Sequence, residues 1–230
     1  MSPEDAAAIA AIYAPYVTAS AVSFETEPPD ADAMRARIEA GGELYPWLVA
    51  EEEGEVLGYA YASAFRARPA YRYVVETSVY LAGGAQGRGI GTALYGALIR
   101  TLEAQGFAQA IGAITLPNAP SVRLHEALGF VQAGTYRQVG WKMGAWHDVG
   151  LWQRALAPAT DPPREPLPLR ISAYDRATSA FVGRQRPAAA DGGTAEREAG
   201  ERGDDARDEG GDAEQHQQDG QRRGQGGGGD

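Results

Sequence analysis

The chain has 230 residues, a formal net charge of -10 and no cysteine. Acidity on this scale argues against the basic face that nucleic-acid binding requires, and a cysteine-free chain has no disulfide, thiolate metal site or cysteine nucleophile. No apolar run approaches a membrane span and the N-terminus lacks a signal peptide's basic flank and cleavable apolar core, so a cytoplasmic protein with no nucleic-acid or membrane partner is expected.

In chain order, "SPEDAAAIAAIYAPYVTAS" opens with Ser2, Pro3 and Asp5, a helix start, and continues as alanine-rich helix. "SFETEPPD" breaks it, and "DADAMRARIEAGG" reads as a second, shorter helix ended by Gly41 and Gly42. "WLVAEE" and "EVLGYAYASAF" flank Gly54 as a hairpin. "YRYVVETSVYLA" is the strongest strand, with Val74, Glu76, Ser78 and Tyr80 on one face and Tyr73, Val75, Thr77 and Val79 on the other. A glycine-rich stretch, "AQGRGIG", leads into a helix on which Leu94, Leu98 and Leu102 recur every four residues, with Gly106 placed as its C-cap. "AQAIGAITL" is a strand and "PNAPSVRLHEALGF" a helix with Ser121 near its start and Gly129 past its end. "VQAGTYRQVGWKMGAW" and "HDVGLWQRAL" close the body as two further strands. The order α-α-β-β-β-α-β-α-β-β predicts a mixed sheet with helices packed on it, α/β in content and α+β in arrangement.

Composition divides the chain. Residues 1–157 carry the apolar periodicity of a folded domain, and 158–181, with "DPPREPLPL", read as a proline-rich linker. Past Val182 there is no Ile, Leu, Val, Phe, Met, Trp or Tyr. The Gly-, Asp- and Arg-rich segment 182–230 therefore has nothing to bury against the entropy of ordering and is predicted to be disordered.

A strand leading into a glycine-rich turn and a helix is an anion-binding arrangement, because backbone N–H groups and the helix dipole meet there. The ATP-type loop needs Lys-Ser or Lys-Thr after its last glycine, and Thr92 follows Gly91 instead. The dinucleotide fingerprint needs GxGxxG inside a βαβ unit, and "GRGIGT" is GxGxG after three antiparallel-looking strands. "QGRGIG" instead resembles the pyrophosphate loop of the GNAT N-acetyltransferases. "SFETEPP", "YPWLVAE", "VETSVYL", "LEAQGF", "LPNAPSVRLHEALGF" and "WHDVGLWQ" together are similar to the phosphinothricin and methionine-sulfoximine N-acetyltransferase branch, over about Ser2 to Leu156.

That resemblance implies a mostly antiparallel, twisted sheet whose central strands splay apart, with helices on both faces and acetyl-CoA as co-substrate. In this branch a first strand precedes "PEDAAAIAAIY", so the resemblance implies either a start further upstream or a sheet without that strand. Pantetheine would lie in the gap beside Val79, Tyr80 and Leu81. Backbone N–H groups from Gly87, Arg88, Gly89, Ile90, Gly91 and Thr92 would hold the pyrophosphate, with Gln86 and the Arg88 side chain as helpers. Arg88 is equally readable as a solvated loop charge. Asn118 would bond the pantetheine arm or cap the following helix, and Ser121 would lie beside it.

Glu76 is the one acid within the strongest strand, and an acid there is costly unless used. By resemblance it is the general base; otherwise it is a sheet-edge carboxylate satisfied by hydrogen bonds. His125 stands where the wider family has a tyrosine that protonates the leaving thiolate, so the resemblance implies protonation or stabilisation of that thiolate, and its other reading is a buried structural histidine. No metal is expected, since HExxH would need histidine where Gly129 stands.

Arg66 and Arg68 are placed to clamp a carboxylate, or else form a charged strand end in water. Phe24, Glu25, Tyr71, Tyr73 and Thr77 would complete the acceptor site, with Glu25 near the substrate ammonium. Trp47, Trp141, Trp146 and Trp152 read as core or dimer contacts, and a homodimer is expected. The resemblance implies acetyl transfer to the α-amino group of a small amino acid analogue by direct attack in a ternary complex. Another acceptor (an aminoglycoside, a polyamine or a protein N-terminus) and a non-catalytic acetyl-CoA-binding module are the other readings.

Overall fold

Local sequence sets the elements of this computed structural model, which describes residues 5–169. Helix α1 (Ala6–Thr18) runs on alanine-rich sequence, and α2 (Ala31–Gly41) is capped by Asp30, whose side chain accepts from the Ala33 N–H at 2.8 Å. Strands β1 (Trp47–Glu52) and β2 (Glu55–Ala64) form the expected hairpin at Gly54, which has φ +85°. A 3-10 turn at Pro69–Tyr71 leads into β3 (Val74–Leu81). After the glycine loop come α3 (Ile90–Gln105), β4 (Gln109–Leu116) and α4 (Ala119–Ala127). The sheet is completed by β5 (Val131–Lys142) and β6 (Ala145–Ala155).

Every expected element occurs and in the expected order, but the last hairpin turns earlier than its sequence suggests. The break falls at Met143–Gly144, both at positive φ (51° and 75°), so "AW" belongs to β6 and Trp141 pairs across the strands with Trp146. Two successive positive-φ residues suit the right-handed twist of a hairpin, but methionine gives no sequence sign of it.

The sheet has six strands in the order β1-β2-β3-β4-β6-β5, antiparallel throughout except between β3 and β4. Helices cover both faces. On one, Leu94, Tyr95, Leu98 and Leu102 of α3 pack with Val75, Ala110 and Ile114 of the central strands and with Phe107, Phe130 and Trp152. On the other, Ile9, Tyr13 and Val17 of α1 and Met34 of α2 pack on Tyr59, with Trp47, Tyr61 and Tyr80 beside them. Tyr80 and Val75 thus bury on opposite faces, as the alternation along β3 requires.

The break that positions the site lies between β3 and β4. They pair at Val74–Gln109, Val75–Ala110 and Glu76–Ile111, and no further. From there β3 runs on to Leu81 and β4 to Leu116 without a shared ladder, so the centre of the sheet opens as a wedge. Thr77 sits at the fork, 3% exposed, its hydroxyl bonded to the Tyr95 hydroxyl (2.8 Å) and donating to the Ile111 carbonyl (3.2 Å).

Past the sheet the chain turns back along the domain. Glu165 accepts a bidentate bond from Arg72 and one from the Tyr73 hydroxyl, the Leu167 N–H donates to the Gln105 carbonyl, and the Leu169 N–H donates to the Glu43 carbonyl. Of the expected linker only residues 158–169 are described, and the expected disordered tail lies outside the described residues.

Candidate active site

Strand parity determines which backbone groups face the wedge. The Tyr73 carbonyl accepts from the Ala108 N–H that leads into β4, so Tyr73, Val75, Thr77, Val79 and Leu81 direct their N–H and C=O groups to that side. Tyr80 directs its own toward β2, where it pairs with Tyr59. Its side chain is packed edge-on to Tyr13 (5.0 Å) and Tyr16 (5.1 Å). Tyr80 is therefore core rather than cofactor-facing, whereas Val79 presents its backbone to the gap. Leu81 faces the gap too, but the Tyr16 hydroxyl donates to its carbonyl at 2.7 Å and accepts from its N–H at 3.4 Å.

The mouth of the wedge is the glycine loop. Gly87 (φ +75°) and Gly89 (φ +79°) hold left-handed conformations that side chains resist, and α3 starts at Ile90 directly after. The first helical N–H groups have no carbonyl four residues back, so those of Ile90, Gly91 and Thr92 point out of the helix end. Gly91 has a different reason to be glycine: a Cβ there would meet Leu81 Cδ1 at 3.3 Å and Leu124 Cδ2 at 3.7 Å. Arg88 pairs with Glu52 at 2.7 Å on the surface, and Gln86 Nε2 approaches the Tyr16 hydroxyl at 3.4 Å.

Glu76 projects onto the α1/α2 face at the fork, opposite Ser63 of β2. Its carboxylate has no hydrogen-bond or ion-pair partner among the described residues. Burial pushes its carboxyl above the ordinary range, and Arg66 pulls it part of the way back. Arg66 also lies over the Phe65 ring at 5.0 Å. Arg68 is exposed at the head of the 3-10 turn, and Tyr71 stands edge-on to Phe65 at 5.7 Å.

The remaining acceptor residues divide differently from expectation. Glu25 is committed: Arg37 holds both its oxygens at 2.8 and 2.9 Å, and the Tyr13 hydroxyl donates to it at 3.0 Å. Those bonds, Arg37's first, hold its carboxyl below the ordinary range, so it is not an unpaired anion awaiting an ammonium. Arg37 gave no sign in sequence, because the contact joins α2 to a loop twelve residues earlier. Tyr73 is committed to Glu165, and Thr77 to the fork. Phe24 packs face-on to β5, where a Cβ on Gly140 would lie 2.2 Å from its ring.

His125 lies on the opposite face, 4% exposed, with its ring edge-on to Tyr95 (5.0 Å) and Phe130 (5.2 Å). Its Nδ1 is 2.8 Å from the Ser121 carbonyl, an acceptor only, so Nδ1 carries the proton and Nε2 the lone pair. Nε2 is buried without a partner among the described residues, directly beneath Gly112, where a Cβ would stand 2.5 Å away. Burial lowers the pKa of this imidazole, opposed by the Ser121 bond, and keeps the ring neutral. A neutral ring with this tautomer has no Nε2 proton to donate, which departs from the expected thiolate-protonating role. Asn118 caps α4 by accepting from the Ser121 N–H at 3.2 Å, the second of its two readings. Trp47 stacks on Tyr61 at 4.1 Å and Trp152 is buried, while Trp141 and Trp146 are 61% and 58% exposed.

A parallel pair that parts at its centre, an unpaired strand edge in the gap and a positive-φ glycine loop at its mouth define a site for an extended, pyrophosphate-bearing thioester. The GNAT acetyltransferase domain family matches residues 1–151, and the chain belongs to it. The chain is 46% identical over 166 residues to phosphinothricin N-acetyltransferase of Streptomyces viridochromogenes, covering 72% of this chain and 88% of that protein. It is 39% identical over 153 residues to the L-methionine sulfoximine/L-methionine sulfone acetyltransferase of Salmonella typhimurium, covering 66% and 90%. A GNAT phosphinothricin acetyltransferase of Sinorhizobium meliloti, solved in complex with acetyl-CoA, superposes with a TM-score of 0.67 at 38% identity, covering 76% of this chain and 94% of that one. The protein is an acetyl-CoA-dependent N-acetyltransferase. No described helix is long and apolar enough to cross a membrane.

Proposed function

We propose that the enzyme acetylates the α-amino group of a small amino acid analogue of the phosphinothricin, methionine sulfoximine or methionine sulfone type, by direct attack in a ternary complex. The observation that carries this is Glu76: a half-buried carboxylate, unpartnered among the described residues, at the fork, with the Arg66 charge acting on it. Acetyl-CoA supplies the thioester acyl group. The backbone of Val79 would pair with its arm, and the N–H groups from Gly87 to Thr92 would hold its pyrophosphate. A carboxyl with a raised pKa is a better proton acceptor than an ordinary one once ionised, which suits removal of the ammonium proton. The Arg66 guanidinium would orient the substrate carboxylate, and exposed Arg68 is free to assist.

His125 would act from the other face as a neutral group that fixes the fork through Gly112, its Nε2 an acceptor rather than a donor. The acetyl-CoA requirement suits the cytoplasm. Exposed Trp141 and Trp146 on the β5–β6 hairpin support a homodimer, checked by sedimentation of wild type against a Trp141→Ser, Trp146→Ser pair. The test of the acceptor class is acetyl-CoA turnover on phosphinothricin, methionine sulfoximine, methionine sulfone, spermidine and kanamycin. Turnover on the three amino acid analogues that collapses in Arg66→Ala supports the reading. Preference for either cationic amine overturns it.

A further inference from the structure

The open edge of β3 does not run free to the glycine loop. It begins past the Thr77 fork and would extend to Leu81, about 13 Å at the usual rise per residue. At Leu81, however, the Tyr16 hydroxyl already serves both backbone groups, donating to the carbonyl at 2.7 Å and accepting from the N–H at 3.4 Å. The same hydroxyl is 3.4 Å from Nε2 of Gln86, the residue that opens the glycine loop. Tyr16 is held there from behind. Its ring meets Tyr80 edge-on at 5.1 Å, and Tyr80 is itself fixed between Tyr13 at 5.0 Å and Tyr59 at 5.3 Å. Leu81 is packed as closely, its side chain filling the space a Cβ would take on Gly58 and Gly91.

We propose that Tyr16 is a positioning residue for the acyl donor: its hydroxyl closes the β3 edge at Leu81, setting the register at which an extended, amide-bearing thioester arm pairs with Val79. Through Gln86 it ties that register to the pyrophosphate loop. The inference rests on the reading that the arm lies along the β3 edge. It assigns Tyr16 a place beside the donor, although it stands on α1, an element otherwise turned toward the acceptor face.

Tyr16→Phe keeps the ring on Tyr80 and removes only the hydroxyl. Calorimetry should show about 3- to 10-fold weaker acetyl-CoA binding, the range expected for a lost hydrogen-bonding group. Binding of adenosine 3′,5′-bisphosphate, which lacks the arm, should be unchanged. In turnover the KM for acetyl-CoA should rise by a similar factor while kcat and the amine KM hold. Amide exchange at Val79 should slow on adding acetyl-CoA to the wild type. If it does not, the placement of the arm is wrong and the register argument falls with it. If Val79 is protected but Tyr16→Phe binds acetyl-CoA as tightly as wild type, or more tightly, the role of Tyr16 alone is overturned; tighter binding would make it a competitor for the edge.

Discussion

The two faces of the sheet at the fork differ in how they treat Glu76 and His125. On the α1/α2 face Glu76 is half-buried, without a hydrogen bond among the described residues, and feels the charge of an exposed cation, Arg66. On the α3/α4 face His125 is closed in by aromatic rings, fixed at Nδ1 and pressed against a glycine. The first arrangement leaves a group able to take up and release a proton; the second holds a group in one protonation state and one place. An unpartnered carboxylate and a fully packed imidazole are thus segregated by face, and the strands between them are where the acyl donor would lie.

The comparison breaks most sharply if Glu76 is removed. Glu76→Gln should lower kcat/KM by about 10²- to 10⁴-fold, the usual contribution of a positioned base. The wild-type profile of kcat/KM should rise with pH through a value above that of an ordinary glutamate, and the variant should lack that limb. A shift in this direction also has a stability consequence. The native state holds the Glu76 proton more tightly than the unfolded chain, so the native state loses stability as pH rises through the raised pKa. Glu76→Gln should therefore melt no lower than wild type at pH 8, in calorimetry, despite its inactivity.

Gly112→Ala tests the rigid face. The new methyl would stand 2.5 Å from His125 Nε2, an overpacking expected to cost about 1–3 kcal/mol in denaturant unfolding. His125→Ala in the same chain should recover part of that loss, and failure to do so would place the collision elsewhere. A smaller effect is expected from His125→Phe in acid. Because its folded pKa is depressed, wild-type His125 contributes stability above the ordinary histidine range that is lost as pH falls through it. The drop in melting temperature between pH 7.5 and pH 5.5 should be shallower in His125→Phe. The smallest effect belongs far from the fork: Glu165→Gln, which removes one exposed carboxylate from Arg72, should shift the melting temperature at the limit of detection.

Much of this was legible from local pattern. The alternation along "VVETSVYL" placed Glu76 and Thr77 on opposite faces, and glycine spacing located both the loop and the end of α3, where Gly106 has φ +87°. What sequence could not show were pairings made by long side chains across the fold. Arg37 on Glu25, Tyr16 on Leu81 and Glu165 on Arg72 and Tyr73 join residues with no common periodicity. Each took a residue that pattern alone left free for ligand. The turn at Met143 was hidden for a related reason, since a positive φ in a methionine is imposed by its hairpin rather than favoured by the residue.

The returning segment through Glu165, Leu167 and Leu169 bears on where this enzyme can be cut. Buried Gln105 donates its amide to both the Leu44 and Leu167 carbonyls, so a chain ended at Ala157 would remove one of those acceptors and strip Arg72 and Tyr73 of their shared carboxylate. Any minimal version made for crystallisation or fusion should therefore keep the proline-rich stretch to Leu169, whose bonds form the fold's outer seam.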